Sequence, residues 1–155
     1  MKTKLAELCT ALLRLTQSLD WLAPLLMRLF FGYFWAETGW AKLHNLEGAT
    51  ARFVDWGIPF PTFSAPFSAG AEFVGGVLLM LGLFTRLNSI ALFINMLVAL
   101  MIVAIKPVAD VDSFFELDEP LYMLIFVWFV FAGPGRVSLD TLLAKWLGIG
   151  TQKSA

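Results

Sequence analysis

The sequence predicts an all-α integral membrane protein, a four-helix bundle with amphipathic interfacial helices at the N-terminus, in the first outer loop and at the C-terminus. Three observations predict it. The 155 residues are 59% hydrophobic and only 15% charged, where soluble domains run at roughly 45–50% and about 25%. Four apolar stretches fill most of the chain, at about 22–43, 66–84, 87–105 and 118–132. Ionisable residues lie deep inside two of them. About 20 apolar residues cross a hydrocarbon core roughly 30 Å thick as a helix, and a helix satisfies its own backbone in lipid. The length suits a single membrane domain over 1–155, without internal repeats or low-complexity runs.

The N-terminal segment begins with Lys2 and Lys4, but Glu7, Arg14, Gln17 and Asp20 interrupt what would be the apolar region of a cleavable signal peptide. Leu5, Leu8, Leu12, Leu15 and Leu19 recur every three to four residues, the pattern of an amphipathic helix lying in the membrane interface. The alternative is a polar lead-in helix packed on the domain. The first span, Leu22 to Leu43, holds Arg28, Glu37 and Lys42. An amphipathic piece follows through Trp56, and Gly57-Ile58-Pro59-Phe60-Pro61 stops it. Trp40, Trp56, Phe60, Phe63 and Phe67 fall at one level, and aromatics favour the interface, so this connection is expected to form a short lid on the outer surface.

The second span, Pro66 to Phe84, holds Glu72. A tight link, Thr85-Arg86-Leu87-Asn88, leads into the third, Leu87 to Ile105, with Asn95 near its middle. Asp110, Asp112, Glu116 and Asp118 read as a solvated loop. The fourth span is apolar from Leu121 to Ala132, with Asp118, Glu119 and Pro120 at its mouth. Gly133-Pro134-Gly135 cannot continue a helix. Ser138 then caps a terminal amphipathic helix running toward Leu147.

Basic residues set orientation. Lys2, Lys4, Arg14, Arg86, Arg136, Lys145 and Lys153 fall on one side of a four-span arrangement, and Lys42, Arg52 and Lys106 on the other, seven against three. Both termini are therefore expected in the cytoplasm. The net charge of −1 argues against a nucleic-acid partner, which would want a basic face. One cysteine, Cys9, and one histidine, His44, exclude an intrachain disulfide, a Cys-x-x-Cys electron relay and a bis-His haem, and they disfavour a Cys/His zinc site. Carboxylates could hold a hard cation, but no spacing demands one, so no metal is expected.

A charge buried in a membrane is a functional-site candidate. On a wheel of about 100° per residue, Arg28, Gly32, Trp35, Gly39 and Lys42 fall within roughly 40° of one line. Tyr33, Glu37, Trp40 and His44 fall on nearly the opposite face. The glycines allow a neighbouring helix to come close. Arg28, roughly 9 Å from the inner end, can reach inner headgroups or the carbonyls near Gly133. Antiparallel spans bring Glu37, Lys42, Glu72, Lys106 and Glu119 toward one leaflet, with Lys42–Glu72 the favoured pair. That pair reads equally as a structural clamp between spans one and two and as the heart of a polar pocket. Asn95 reads first as an interhelical hydrogen-bonding group, and His44 as an interfacial residue.

The residues also resemble a known family. Arg28-x3-Gly32 followed by Gly39-x2-Lys42-Leu43, then Gly57-Ile58-Pro59, resembles the first helix and loop of the DoxX family. Glu72-x2-Gly75-Gly76 leading into Leu81-Gly82-Leu83-x-Thr85-Arg86 is similar too, as is the close at Gly133-Pro134-Gly135-x2-Ser138-Leu139-Asp140. The likeness covers about residues 24–141; each motif is weak alone, and their order and spacing are fairly specific. It implies a four-helix bundle of the bacterial inner membrane with Arg28, Lys42 and Glu72 as its polar core. Some members are similar to a subunit of a thiosulfate:quinone oxidoreductase, others are linked to membrane thiol-stress complexes, and many have no known activity. Glu37 falls outside the matched pattern.

Two functions are expected from these readings. The first is an accessory or anchoring subunit of a membrane redox system, quinone-linked or related to thiol and sulfur stress, with no redox centre of its own. Aromatic walls from Trp35, Tyr122 and Trp128 would suit a flat apolar ligand such as a quinone, and electrons would come from an oxidoreductase partner. If catalytic, the chain would act as part of a quinone-linked oxidoreductase and not as an independent enzyme. The second is a non-enzymatic assembly factor or small-solute carrier; carriage would call for a homo-oligomer, since four spans are few for a transporter.

Overall fold

Proline and glycine set most of the helix limits. The computed structural model describes residues 2–149, and every regular element among them is helical. Helix α1 covers Lys2–Ser18 and α2 Leu22–His44. The Asn45 side chain caps α3, Leu46–Trp56, by accepting from the Gly48 amide at 3.0 Å. Gly57 ends α3 in the left-handed region, with φ 74°. Helix α4, Pro61–Leu81, starts on a proline, whose missing N–H is no loss in a first turn. Helix α5, Thr85–Ala99, runs on through a π-helical turn, Leu100–Ala104. Then come α6, Val111–Phe115; α7, Asp118–Ala132; and α8, Leu139–Trp146, capped by Ser138.

The second apolar stretch is placed differently from its sequence reading. The helix starts at Pro61, not Pro66, and ends at Leu81, not Phe84. Pro66 lies inside it, giving up a single backbone bond in the second turn. Gly82 (φ 64°) and Phe84 (φ 50°) both sit in the left-handed region and turn the chain within three residues. Asp140 makes that turn affordable: its carboxylate accepts from the Phe84 amide at 2.7 Å and the Thr85 amide at 2.9 Å, satisfying the start of α5. The Asp140 amide in turn donates to the Gly82 carbonyl at 2.9 Å, so α8 is pinned beneath the α4–α5 turn.

Helix α2 packs most closely on α4, α5 packs on α7, and α4 touches both α5 and α3. The α2–α4 contact is backbone against backbone. A Cβ at Gly39 would lie 2.7 Å from the Ala69 carbonyl oxygen and 2.8 Å from Phe73 Cα; one at Gly76 would lie 2.8 Å from Ala36 Cα. Only glycine admits that approach. The core takes Trp35 from α2, Leu79 from α4, Leu92 and Met96 from α5, and Phe126 and Phe129 from α7. Beneath α3 a smaller cluster joins Ala49, Phe53 and Ala65.

The outside is apolar. Phe30, Leu87, Met101, Leu124 and Phe131 are all more than two-thirds exposed, a surface that suits lipid and not water. Two helical segments are long and apolar enough to cross a membrane: Pro61–Leu81, 21 residues of mean hydropathy 1.4, and Thr85–Ala104, 20 residues of mean hydropathy 2.3. Helix α2 has the length, 23 residues, but carries Arg28, Glu37 and Lys42. Helix α7 has 15 residues, about 22 Å. Along α1 the described side chains are exposed, Leu12, Leu13 and Leu15 among them. The side chains of Lys2, Leu5 and Leu8, and the whole of Lys153, lie outside the described set. In the acidic loop, Asp110 accepts from the Ser113 amide at 2.8 Å and from the Ser113 hydroxyl, capping α6. Those bonds hold its carboxyl below the ordinary carboxylate range.

Candidate functional site

The close approach of α2 and α4 brings Lys42 onto Glu72. Lys42 Nζ donates to both Glu72 oxygens, at 2.6 and 2.7 Å. Glu72 is 1% exposed, while the Lys42 side chain keeps 25%. Asn95 from α5 donates its amide to Glu72 Oε1 at 3.1 Å. Ser68, one turn before Glu72 on α4, donates to Asn95 Oδ1 at 2.9 Å, with Glu72 Oε1 a longer alternative at 3.4 Å. A hydroxyl has one proton, so Ser68 serves one acceptor at a time. Three helices thus meet at one carboxylate, and the network leaves Lys42 with one N–H unspent.

Lys42 also lines a cavity of about 470 Å³ between α2 and α3, together with Thr38, Ala41, Asn45, Ala49, Arg52, Phe53 and Trp56. Its polar groups include Lys42 and Arg52 and no carboxylate. Its apolar walls are two alanines and two aromatic rings, Phe53 and Trp56, 5.7 Å apart. The volume falls within the usual range for small-molecule sites, roughly 300–1,000 Å³.

The structure separates the remaining candidates. Glu37 is exposed on the far face of α2 and makes no hydrogen bond or ion pair among the described residues. Lys106 donates to the Trp56 carbonyl at 3.0 Å, away from Glu72. Glu119 is half-buried at the start of α7 and joins no ion pair among the described residues. The expected convergence of five ionisable groups therefore reduces to Lys42 and Glu72, because depth along a helix places a residue in a leaflet but not on a face. The expected lid is corrected in its second half. Residues 61–67 are the start of α4, and Phe60, Phe63 and Phe67 are 79%, 68% and 68% exposed. The wall facing Lys42 is α3 instead. Trp35 and Tyr122 meet at 5.4 Å in the interior, with Phe34 stacked on Tyr122, but Trp128 is 39% exposed and does not line it.

Arg28 takes no carboxylate partner among the described residues. It is 1% exposed and donates through Nη2 to the Val137 carbonyl, just before α8, while Nε and Nη1 are buried without a partner. Gly82 leaves the room: a Cβ there would run into the guanidinium. Sequence reasoning put the carbonyl near Gly133, four residues too early.

Three contributors escaped the sequence. Ser68 could have been found, since it precedes Glu72 by four residues on one helix face. Arg52 counts in the sequence only for topology, and Asp140 only as the end of the closing motif. Among the described residues no three His, Cys, Asp or Glu side chains come together to hold a metal ion.

An all-helical chain with an apolar exterior, two membrane-length helices and a buried ion pair defines a small helical membrane protein. The chain belongs to the DoxX family, whose model matches residues 23–105. A second model, described as the TQO small subunit DoxD, matches residues 67–154. The chain is 31% identical over 130 residues to an uncharacterized membrane protein of Mycobacterium tuberculosis, covering 77% of this chain and 80% of that one. It is 28% identical over 124 residues to CatD of Bacillus subtilis, whose name assigns it provisionally to the oxidoreductases, covering 80% of this chain and 89% of CatD. No solved structure matches significantly.

Proposed function

We propose that this chain crosses the bacterial inner membrane four times, as one bundle of α2, α4, α5 and α7 with both termini in the cytoplasm. There it serves a membrane redox system as an accessory or anchoring subunit. Helices α1, α3 and α8 lie in the interfaces. The DoxD match and the CatD likeness support the redox association. The seven-to-three basic asymmetry supports the orientation.

The observation that carries the reading is the cavity of about 470 Å³ against the Lys42–Glu72 pair. Its polar lining can donate from Lys42 and Arg52, and its rings are Phe53 and Trp56. That combination suits a flat ligand with acceptor oxygens, as a quinone headgroup is. A quinone would supply a two-electron, two-proton carrier. Lys42 and Arg52 would hold its oxygens and Trp56 its ring. Glu72, fixed by Lys42, Asn95 and Ser68, would hold Lys42 in place and balance its charge. The oxidoreductase partner would bring the electrons.

A second reading has its own observation. Both Glu72 oxygens are already engaged, so the pair also works as a plain clamp between α2 and α4, as an assembly factor or solute carrier would need. Gentle purification with mass spectrometry of bound small molecules and proteins separates the two. Copurified quinone or a flavin- or haem-bearing partner, lost in Lys42→Met with Glu72→Leu, supports the redox reading. Neither molecule in the wild type leaves the clamp. Reporter fusions after residues 60 and 150 test the topology: a cytoplasmic signal from the first, or a periplasmic signal from the second, contradicts it.

A further inference from the structure

An exposed face of α2 carries a pattern that the ion-pair site does not use, though its Trp40 ring tilts against Phe73 of α4 with centroids 5.3 Å apart. Leu26, Phe30, Tyr33, Glu37, Trp40 and His44 follow one another at alternating spacings of four and three, and all six are exposed. At about 100° per residue they fall within roughly 40° of one line. This is the spacing of a helix–helix seam, two positions in every seven. Phe30 is 71% exposed, Tyr33 62%, Leu26 55% and Trp40 52%. Lipid accounts for Leu26 and Phe30. It does not account for Glu37, which lies near the centre of the outer half of α2, about 10 Å along the axis from His44.

Nothing among the described residues serves that carboxylate. It has no hydrogen-bond or ion-pair partner among the described residues, and the Thr38 hydroxyl beside it already donates to the Phe34 carbonyl at 2.7 Å. Ionisable side chains on membrane helices rarely face lipid, and polar side chains there bond across helices. The flanking seam residues are donors: the Tyr33 hydroxyl lies one turn before Glu37 and the Trp40 indole N–H one turn after. The face therefore holds both an unserved acceptor and its complements, at heights that match when the face meets itself.

We propose that this face of α2 is the interface of a parallel two-fold dimer, in which each Glu37 sits at the crossing of two α2 helices between the Tyr33 and Trp40 donors of the second copy. A two-fold interface presents one patch to itself, and copies inserted with the same topology meet in parallel. A polar residue at a seam position fixes register and partner number. The inference rests on α2 crossing the bilayer and is independent of what the cavity binds; the fusion after residue 60 reports on the crossing separately.

The test uses the full chain. Cys9→Ser removes the single cysteine. Leu26→Cys and Phe30→Cys then place thiols on the seam, and Leu124→Cys, on α7 and 67% exposed, places one on another lipid-facing surface. Oxidation in native membranes should give disulfide-linked dimers from the two seam variants and none from Leu124→Cys. Native mass spectrometry should show a wild-type dimer whose dissociation constant rises at least tenfold in Glu37→Leu. The melting temperature of the Glu37→Leu monomer should stay unchanged, since Glu37 makes no hydrogen bond or ion pair among the described residues. Equal cross-linking at all three positions overturns the proposal, as does a Glu37→Leu dimer as tight as the wild type. A seam thiol captured by a different membrane protein, with the purified chain monomeric, overturns the second-copy assignment and identifies the true occupant.

Discussion

Lys42 and Arg28 share one face of α2, fourteen residues apart, and the fold treats them in opposite ways. Lys42 meets a carboxylate at 2.6 Å and keeps an edge on a cavity. Arg28 is more deeply buried, meets one carbonyl, and leaves Nε and Nη1 unserved. Asp140, close enough to act on Arg28 electrostatically, spends its oxygens on the Phe84 and Thr85 amides. The difference teaches what each charge is for. An ion pair taken from water gains about as much by attraction as it loses by desolvation, so its presence is weak evidence for stability. A paired site beside a cavity is free to serve a ligand. A guanidinium packed against the Gly82 turn and the entry to α8 instead ties three segments together.

Four experiments break or sharpen that comparison. The largest effect is expected at the pair. Glu72→Leu alone orphans Lys42 and should cost about 3–5 kcal/mol, while Lys42→Met with Glu72→Leu should regain most of it. Chemical denaturation in detergent gives the double-mutant cycle. A double variant as unstable as the single would mean the pair contributes net stability and is more than a matched set of charges. Next comes the glycine contact that makes the pair possible. Gly76→Ala pushes a Cβ into α2 and should cost up to about 3 kcal/mol, whereas Gly70→Ala, with open space around its Cβ, should gain up to about 1 kcal/mol from helix propensity. Similar effects from both would remove backbone contact as the cause of the α2–α4 geometry.

At the other end, Arg28→Leu takes a donor from the Val137 carbonyl and should cost about 1–2 kcal/mol. Arg14→Leu on exposed α1 should stay within about 0.5 kcal/mol. Equal melting temperatures would contradict a tying role for Arg28. The smallest effect is at Asp110. Its carboxyl titrates below its ordinary value of 3.8, so its cap on α6 is fully present above that pH and is lost as pH falls through the lower folded value. Amide exchange across Val111–Phe115 should quicken below pH 4 in the wild type. Asp110→Asn should abolish that pH dependence; an unchanged profile would show that another group governs the helix.

Much of the helical layout was legible because hydrophobic length and backbone chemistry are local. Helix α2 ends within a residue of its expected limit, α7 begins at its acidic mouth, and Ser138 caps α8, each fixed by residues within a turn. The second stretch was misread because Pro66 looked like a boundary. A proline near the start of a helix costs little, and Pro61, at the true first position, was the stronger signal. The π-helical turn at Leu100–Ala104 had no sequence mark, since no glycine or proline sets it off. The site was legible only in part. Lys42 and Glu72 could be paired on paper because glycines share their faces and antiparallel spans share their depth. Glu37 and Glu119 passed the same depth test and lie elsewhere.

By itself, then, the sequence determined that this chain is helical, apolar on the outside and charged within, because burial and backbone satisfaction in lipid leave few alternatives. It also determined where α2 could touch α4, since Gly39 and Gly76 admit a backbone where no side chain would fit. The tertiary structure decided which charges met. Glu72 needs Lys42 from 30 residues away and Asn95 from 23 away, and such contacts depend on helix rotation, which a few degrees can redirect. It also decided where the cavity opens, because α3 packs back onto α4 through Ala49, Phe53 and Ala65, a contact that no local period encodes.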